Sequence, residues 1–331
     1  MTVALVFRKK NPVFFSIERV FSGLEKELGK KVTLRKWIAP DTGVSFRNVR
    51  AMRSFSRREK ADVYHITGDI HYAVFGLPRR RTLLTIHDCV FLRQTSGLKR
   101  WILKKLLLDW PVRCSALITT ISEASKKDIL DNTHCRPEKI IVIPNPVNDL
   151  LQYEPAIFRE ASPRLLFVGI TPNKNLSRVI EALKGIPCQL HIIGKVPAPE
   201  LALLQEAGID WKESPGLTDE EIAAAYTAAD LVLFPSTFEG FGLPILEAQK
   251  SGRPVITSEL SPMKEVAAGA ACLVDPYSVD SIRAGVIKVI QDGSFRQELV
   301  EDGFRNVKRF DLAGIAQQYL ACYEKINQKL C

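Results

Sequence analysis

Short apolar runs alternate with amphipathic stretches along the whole chain, and this alternation predicts its fold class. Runs at Thr2–Phe7, Val32–Ile38, Val63–Ile66, Thr82–Ile86, Ala116–Thr120 and around Ile140–Ile143 read as strands. Residues 12–28 read as the first helix, with Phe14, Ile17, Phe21, Leu24 and Leu28 on one face. A second series begins at Arg164–Val168 and continues through Gln189–Ile193, Asp230–Phe234, Pro254–Thr257 and Ala271–Val274. Strands that alternate with helices predict parallel sheets, so the chain reads as α/β with two doubly wound, Rossmann-like domains. Prolines at 144, 146, 155 and 163 mark a linker, setting 1–150 as the first domain and 164–311 as the second. The last segment, 312–331, carries Ile315, Tyr319, Tyr323 and Ile326 at the spacing of one buried helical stripe.

Composition narrows the class. A chain of 331 residues, 46% of them hydrophobic, suits two cores better than one. No apolar run approaches the ~20 residues of a membrane helix. The start MTVALVFRKKN lacks a secretory apolar region, which predicts a cytoplasmic protein. Seven scattered cysteines with no C-x-x-C pair predict free thiols, with neither zinc nor a disulfide framework. Charge is uneven: residues 1–150 hold 28 Lys and Arg against 14 Asp and Glu, and the remainder holds 18 against 23. The net +9 therefore belongs to the first half, which points to an anionic partner.

The chemistry concentrates in Leu233–Glu247. An apolar strand leads into a loop with Gly240 and Gly242, and Pro244 then stands where a helix tolerates it. Strand, glycine loop and helix start deliver backbone N–H groups to an anion. Two acids, Glu239 and Glu247, flank that mouth. Acids repel a phosphate, but a carboxylate accepts hydrogen bonds from a vicinal diol. Phosphate together with diols describes a nucleotide sugar. A plain strand-loop-helix turn with an acid near the helix start is the alternative reading of these residues by themselves.

Glu239-Gly-Phe-Gly-Leu-Pro, then Leu246-Glu-Ala and Ser251-Gly-Arg-Pro-Val-Ile, resemble the signature of the retaining glycosyltransferases of family 4. Other landmarks resemble that family in order: Arg164–Gly169 with Pro172–Leu176, Gly216–Ile222, Thr85–Asp88, Ile118–Ser125 and Val142–Val147. The resemblance implies a GT-B fold, two domains across a cleft, with the last helix packed back on the first. It implies a metal-independent hexosyltransferase without a cofactor, using a nucleoside diphosphate sugar as donor and a glycan or lipid-linked acceptor in surface polysaccharide or glycolipid assembly. His87 and Glu239 would be catalytic. Gly169, Lys174, Asn175, Leu217, Gly240, Phe241, Gly242, Leu243 and Glu247 would bind the donor, with Lys174 on the diphosphate and Glu247 on the ribose. Asn173 stands where relatives often carry arginine. Arg8-Lys-Lys-Asn-Pro12 replaces a glycine pair, making Arg8, Lys9 and Lys10 either contacts to a phosphorylated acceptor or simply solvated loop residues. A sugar phosphorylase or synthase of the same fold, or a non-catalytic sugar-nucleotide-binding subunit, are the alternatives.

The surplus of basic residues has one further reading. Gly97–Pro111 places Leu103, Leu106, Leu107 and Trp110 at helical spacing among lysines and an arginine, and Arg47, Arg50, Arg53 and Arg57 share a face. This suits an anionic membrane surface, peripheral to the inner membrane face, although the same leucines fit the core face of a domain helix. Nucleic acid is not expected, because no recognition motif accompanies the charge.

Overall fold

The computed structural model describes residues 1–9, 16–93 and 95–328. The chain divides into two compact units: Met1–Pro146 together with the segment from Leu312, and Val147–Asp311.

Unit one is built on a parallel sheet of six strands: β1 (Thr2–Phe7), β2 (Thr33–Ile38), β3 (Val63–Ile66), β4 (Thr82–Ile86), β5 (Leu117–Thr120) and β6 (Ile140–Val142). Their order is β2-β1-β3-β4-β5-β6, all neighbours parallel. Strands β3, β4 and β5 are buried along their whole length. This is why they read as continuous apolar runs rather than alternating ones. The first described helix, Ser16–Gly29, buries Phe21, Leu24 and Leu28. Pro12 and Phe14 of the expected helix lie outside the described residues.

Unit two repeats the plan with β7 (Arg164–Val168), β8 (Gln189–Ile193), β9 (Asp210–Ser214), β10 (Leu231–Phe234), β11 (Val255–Ser258) and β12 (Cys272–Val274). The order is β12-β11-β10-β7-β8-β9, again all parallel. The hydrophobic pattern gives no sign of β9, because this edge strand, DWKES, has no fully buried residue. The proline-bearing segment 147–163 is not a free linker. Val147 donates to the Phe310 carbonyl, Leu151 is buried, and Arg159 forms two bonds of 2.7 and 2.8 Å to the buried Asp230 carboxylate. These contacts fasten it to unit two.

The last helix, Leu312–Gln328, returns to unit one and buries Ile315, Tyr319, Tyr323 and Ile326. Tyr319 meets the Phe21 ring at 5.8 Å. A buried polar chain fixes its register: the Tyr323 hydroxyl lies 2.8 Å from His65 Nδ1, His65 Nε2 lies 2.7 Å from Thr85 Oγ1, and Thr85 Oγ1 lies 2.7 Å from Thr119 Oγ1. Such a chain ties three strands and a distant helix together only while every member is satisfied.

That chain predicts an acid-sensitive fold. Burial, with His87 adding repulsion, pushes the His65 imidazole down to about 3. The unfolded value is ~6.5, so between these limits the unfolded chain takes up a proton that the folded chain refuses. The contribution of His65 is complete above about pH 6.5 and is lost as pH falls toward 3, by at most ~1.4 kcal/mol per pH unit. Urea unfolding of wild type and His65→Gln between pH 7 and pH 4 should show the variant lacking this part of the slope. Equal slopes would mean that His65 is not held neutral.

Candidate functional site

In an open parallel sheet, ligands bind beyond the carboxyl ends of the strands, where the strand order reverses. In unit two this point lies between β7 and β10. The β7 exit is Gly169 followed by the turn Pro172–Lys174, and the β10 exit is the 235–242 loop. Both stretches singled out in the sequence therefore meet at one place.

The two loops are stitched together. Asn173 Nδ2 donates to the Phe238 carbonyl at 2.9 Å and to Glu239 Oε1 at 3.2 Å, and Thr237 N donates to the Asn173 carbonyl at 2.8 Å. Asn175 is buried in a left-handed conformation, φ +71°. Its Nδ2 donates to the carbonyls of Pro235 at 3.0 Å and Pro276 at 2.7 Å, and its Oδ1 accepts from Arg178 at 2.9 Å. Asn175 is thus a strut that sets the loops, with its polar atoms engaged inside the protein.

Lys174 crosses the junction. Its Nζ donates to Glu239 Oε1 at 2.7 Å and stands 4.6 Å from the centre of the Phe234 ring. Gly169, φ +88°, makes room for it: a Cβ there would come within 3.0 Å of Lys174 Cε. A lysine held by a single carboxylate is a point charge that an arriving phosphate can recruit.

The Leu243–Lys250 helix starts directly after Gly242, whose φ of +114° turns the chain into it. Gly240 and Leu243 are half-buried, and Phe241 is buried edge-on to Phe310 with ring centres 5.9 Å apart. Phe241 therefore anchors the loop in the core. Glu247, one turn in, is buried, and its Oε2 accepts a 2.6 Å hydrogen bond from the Tyr226 hydroxyl. Tyr226 comes from the Asp219–Ala228 helix, which opens with a capping box between Thr218 and Glu221. Leu217, half-buried, precedes that cap. Tyr226 is the site residue that sequence reasoning missed. Its only trace is one aromatic residue in an alanine-rich helix ahead of Asp230.

In unit one, His87 follows β4 at its carboxyl end. Its Nε2 lies 2.8 Å from the Thr67 carbonyl, and Ser125 Oγ donates to the His87 carbonyl at 3.0 Å. A carbonyl only accepts, so Nε2 carries the hydrogen in that bond and Nδ1 is the ring atom left for another partner. Ser122 caps the helix that holds Ser125. The expectation for Arg8 is corrected: both ends of its guanidinium grip Glu18, at 2.7 and 2.9 Å, and it also pairs with Asp69. Arg8 closes the β1–β3 end of the sheet and does not stand open to an acceptor. Lys10 lies outside the described residues. Among the described residues, no three His, Cys, Asp or Glu side chains are gathered to hold a metal.

Sequence comparison identifies the family from this point. The family described as "Glycosyltransferase Family 4" matches residues 13–149, and "Glycosyl transferases group 1" matches 154–306. The chain belongs to glycosyltransferase family 4. The MMP alpha-(1->4)-mannosyltransferase of Mycolicibacterium hassiacum is 29% identical, over 97% of this chain and 84% of that protein. The O-antigen chain mannosyltransferase B of Escherichia coli is 29% identical, over 77% and 73%. HepE from Anabaena, solved in complex with UDP-glucose, superposes with a TM-score of 0.76 at 16% identity, covering 97% of this chain and 99% of that one. The glycosyltransferase thus has the GT-B fold.

The stitching predicts a measurable cost. Asn175→Ala leaves two carbonyls without their donor and should destabilise unit two by about 2–4 kcal/mol. Urea unfolding checks it, and a loss below ~1 kcal/mol would show that the loops hold each other without Asn175.

Proposed function

We propose that this glycosyltransferase moves a hexosyl group from a nucleoside diphosphate sugar to an acceptor hydroxyl with retention of anomeric configuration. The carrying observation is that one strand junction brings together Lys174, bonded to Glu239, and the buried Glu247 behind a helix start, bonded to Tyr226. In this reading the diphosphate takes Lys174 from Glu239 and lies against the N–H groups from Gly240 to Leu243. Glu239, once released, accepts hydrogen bonds from hydroxyls of the sugar. Glu247, oriented by Tyr226, holds the ribose diol, and Leu217 borders the base. His87, with its Nε2 bonded to the Thr67 carbonyl, offers Nδ1 as an acceptor to a hydroxyl of the transferred sugar.

The anomeric C–O bond to the diphosphate breaks, and negative charge grows on the leaving phosphate where Lys174 and the helix start stabilise it. The acceptor oxygen forms the new bond on the face just vacated, and its proton passes to the departing phosphate. Charge stabilisation comes from the protein, without a metal or cofactor. Asn173 supplies amide hydrogen bonds in place of a second cation, so Lys174 carries more of the load.

The acceptor class we favour is a glycan or lipid-linked sugar of a surface polysaccharide, supported by the name of the related O-antigen chain mannosyltransferase B. We place the enzyme in the cytoplasm, peripheral to an anionic membrane. Four arginines, Arg47, Arg50, Arg53 and Arg57, are exposed on one helix. On the Gly97–Lys104 helix the exposed apolar residues are Leu98, Trp101 and Ile102. Leu103, Leu106 and Leu107 are half-buried, with Leu107 packed on the core, so the ridge open to a bilayer lies elsewhere than the leucine spacing suggests. Among the described residues, no helix is long and apolar enough to cross a membrane.

A thermal-shift screen against GDP-mannose, UDP-glucose and related donors tests the reading, since a ligand at 100 times its Kd adds ~2.7 kcal/mol. No shift with any nucleotide sugar would remove it. With the donor known, Glu247→Ala should weaken nucleotide affinity about tenfold or more, corresponding to ~1.4 kcal/mol. Glu239→Ala should chiefly lower kcat. Calorimetry that finds unchanged affinity in Glu247→Ala contradicts the ribose assignment, and an inverted product by NMR contradicts retention.

A further inference from the structure

Unit one has a second concentration of charge, at the edge of its sheet away from His87. Arg79 precedes β4, Ser115 and Ala116 precede β5, and Arg136 and Lys139 precede β6. Because β4, β5 and β6 are parallel, all three entries lie on the amino-terminal edge, whereas His87 follows β4 at the carboxyl edge. Two cavities open here, of about 330 and 860 Å³, and they share Arg79, Arg136 and Lys139. Lys104, Lys105 and Arg113 complete the smaller one. Asp109 is the one carboxylate lining it, and Glu138 the one lining the larger.

The bases are set in place. A π-helical turn over Lys105–Asp109 interrupts the helix, and it brings Lys104 and Lys105 onto the same carboxylate. Their Nζ atoms donate to Asp109 Oδ1 at 2.9 Å and Oδ2 at 2.6 Å. In an uninterrupted α-helix Lys105, four residues before Asp109, would face it, but Lys104, five before, would not. Lys139 Nζ donates to the Val112 carbonyl at 2.5 Å. Burial holds the Lys139 ammonium below its usual range, and Arg79 and Arg136 add repulsion. Six cations around one acid oppose the compact state and focus a positive field into the cavity.

We propose that these adjoining cavities form a phosphoryl-anion site, separate from the donor site and on the opposite edge of the first sheet from His87. Arginine and lysine together suit phosphate, the first as a fork and the second as a point charge. The ligand is a phosphoryl anion, carried by a soluble diphosphate or by an anionic lipid headgroup. The assignment does not depend on the nucleotide-sugar reading.

Calorimetry with inorganic pyrophosphate, and flotation with vesicles of phosphatidylglycerol in phosphatidylcholine, test it on the full chain. Arg79 and Arg136 are both exposed, so Arg79→Ala/Arg136→Ala should keep the wild-type melting temperature. The double variant should bind pyrophosphate at least tenfold more weakly, while Lys174→Ala, altered at the donor site, keeps that binding. Loss in the double variant with pyrophosphate identifies a soluble phosphate as the ligand. Loss with the vesicles alone identifies the headgroup. Either supports the site. Pyrophosphate binding that is lost in Lys174→Ala but kept in the arginine pair, or no effect of the pair on either probe, overturns it.

Discussion

Asn175 holds together the part of this enzyme on which the rest depends. Its backbone sits at φ +71°, a conformation that asparagine tolerates better than most residues, and its buried amide spans three segments. One donor fixes the end of β10 and the other fixes the loop after β12, while Asn173, two residues earlier, holds Phe238 and Glu239. Without these bonds the glycine loop would be a flexible connection between a strand and a helix. With them, the ammonium of Lys174, the carboxylate of Glu239 and the start of the Leu243–Lys250 helix occupy one fixed neighbourhood.

A fixed neighbourhood matters because charge stabilisation works through groups already in place when charge develops. The Lys174–Glu239 pair keeps both charges ordered and largely shielded in the unliganded protein. Breaking it leaves each charge needing a new partner, so in the proposed reaction a ligand that offers a phosphate to one and hydroxyls to the other would be selected over a ligand that offers only one of them. Asn173 fits the same logic. A guanidinium beside Glu239 would compete with Lys174 for the carboxylate, whereas the amide binds it and leaves the lysine, among the described residues, the only cation bonded to that oxygen.

Unit one is organised differently. Its surplus of positive charge is spread over the exposed arginine face of the Phe46–Arg58 helix and the amino-terminal edge of the sheet, while beyond β1, at the carboxyl edge, Arg8 is tied to Glu18 and Asp69. Sequence spacing treats all these bases alike. Burial and partners separate them, and Arg8 changes from an acceptor contact to a clamp.

The apolar periodicity determined most of the strand list, because strands buried on both faces must be continuous hydrophobic runs. It was silent on β9, whose residues bury little and so leave no pattern. Motif spacing determined the glycine loop, since glycine at Gly169 and Gly242 is required by backbone angles that are local properties of the chain. Tyr226 was beyond its reach: the hydroxyl meets Glu247 across 21 positions, through the packing of two helices. The same holds for Tyr323 and His65, 258 positions apart. Local rules decide which conformations a segment prefers, but which polar groups satisfy one another in the interior is settled only when the segments pack, because a buried donor must find whatever acceptor the fold brings to it.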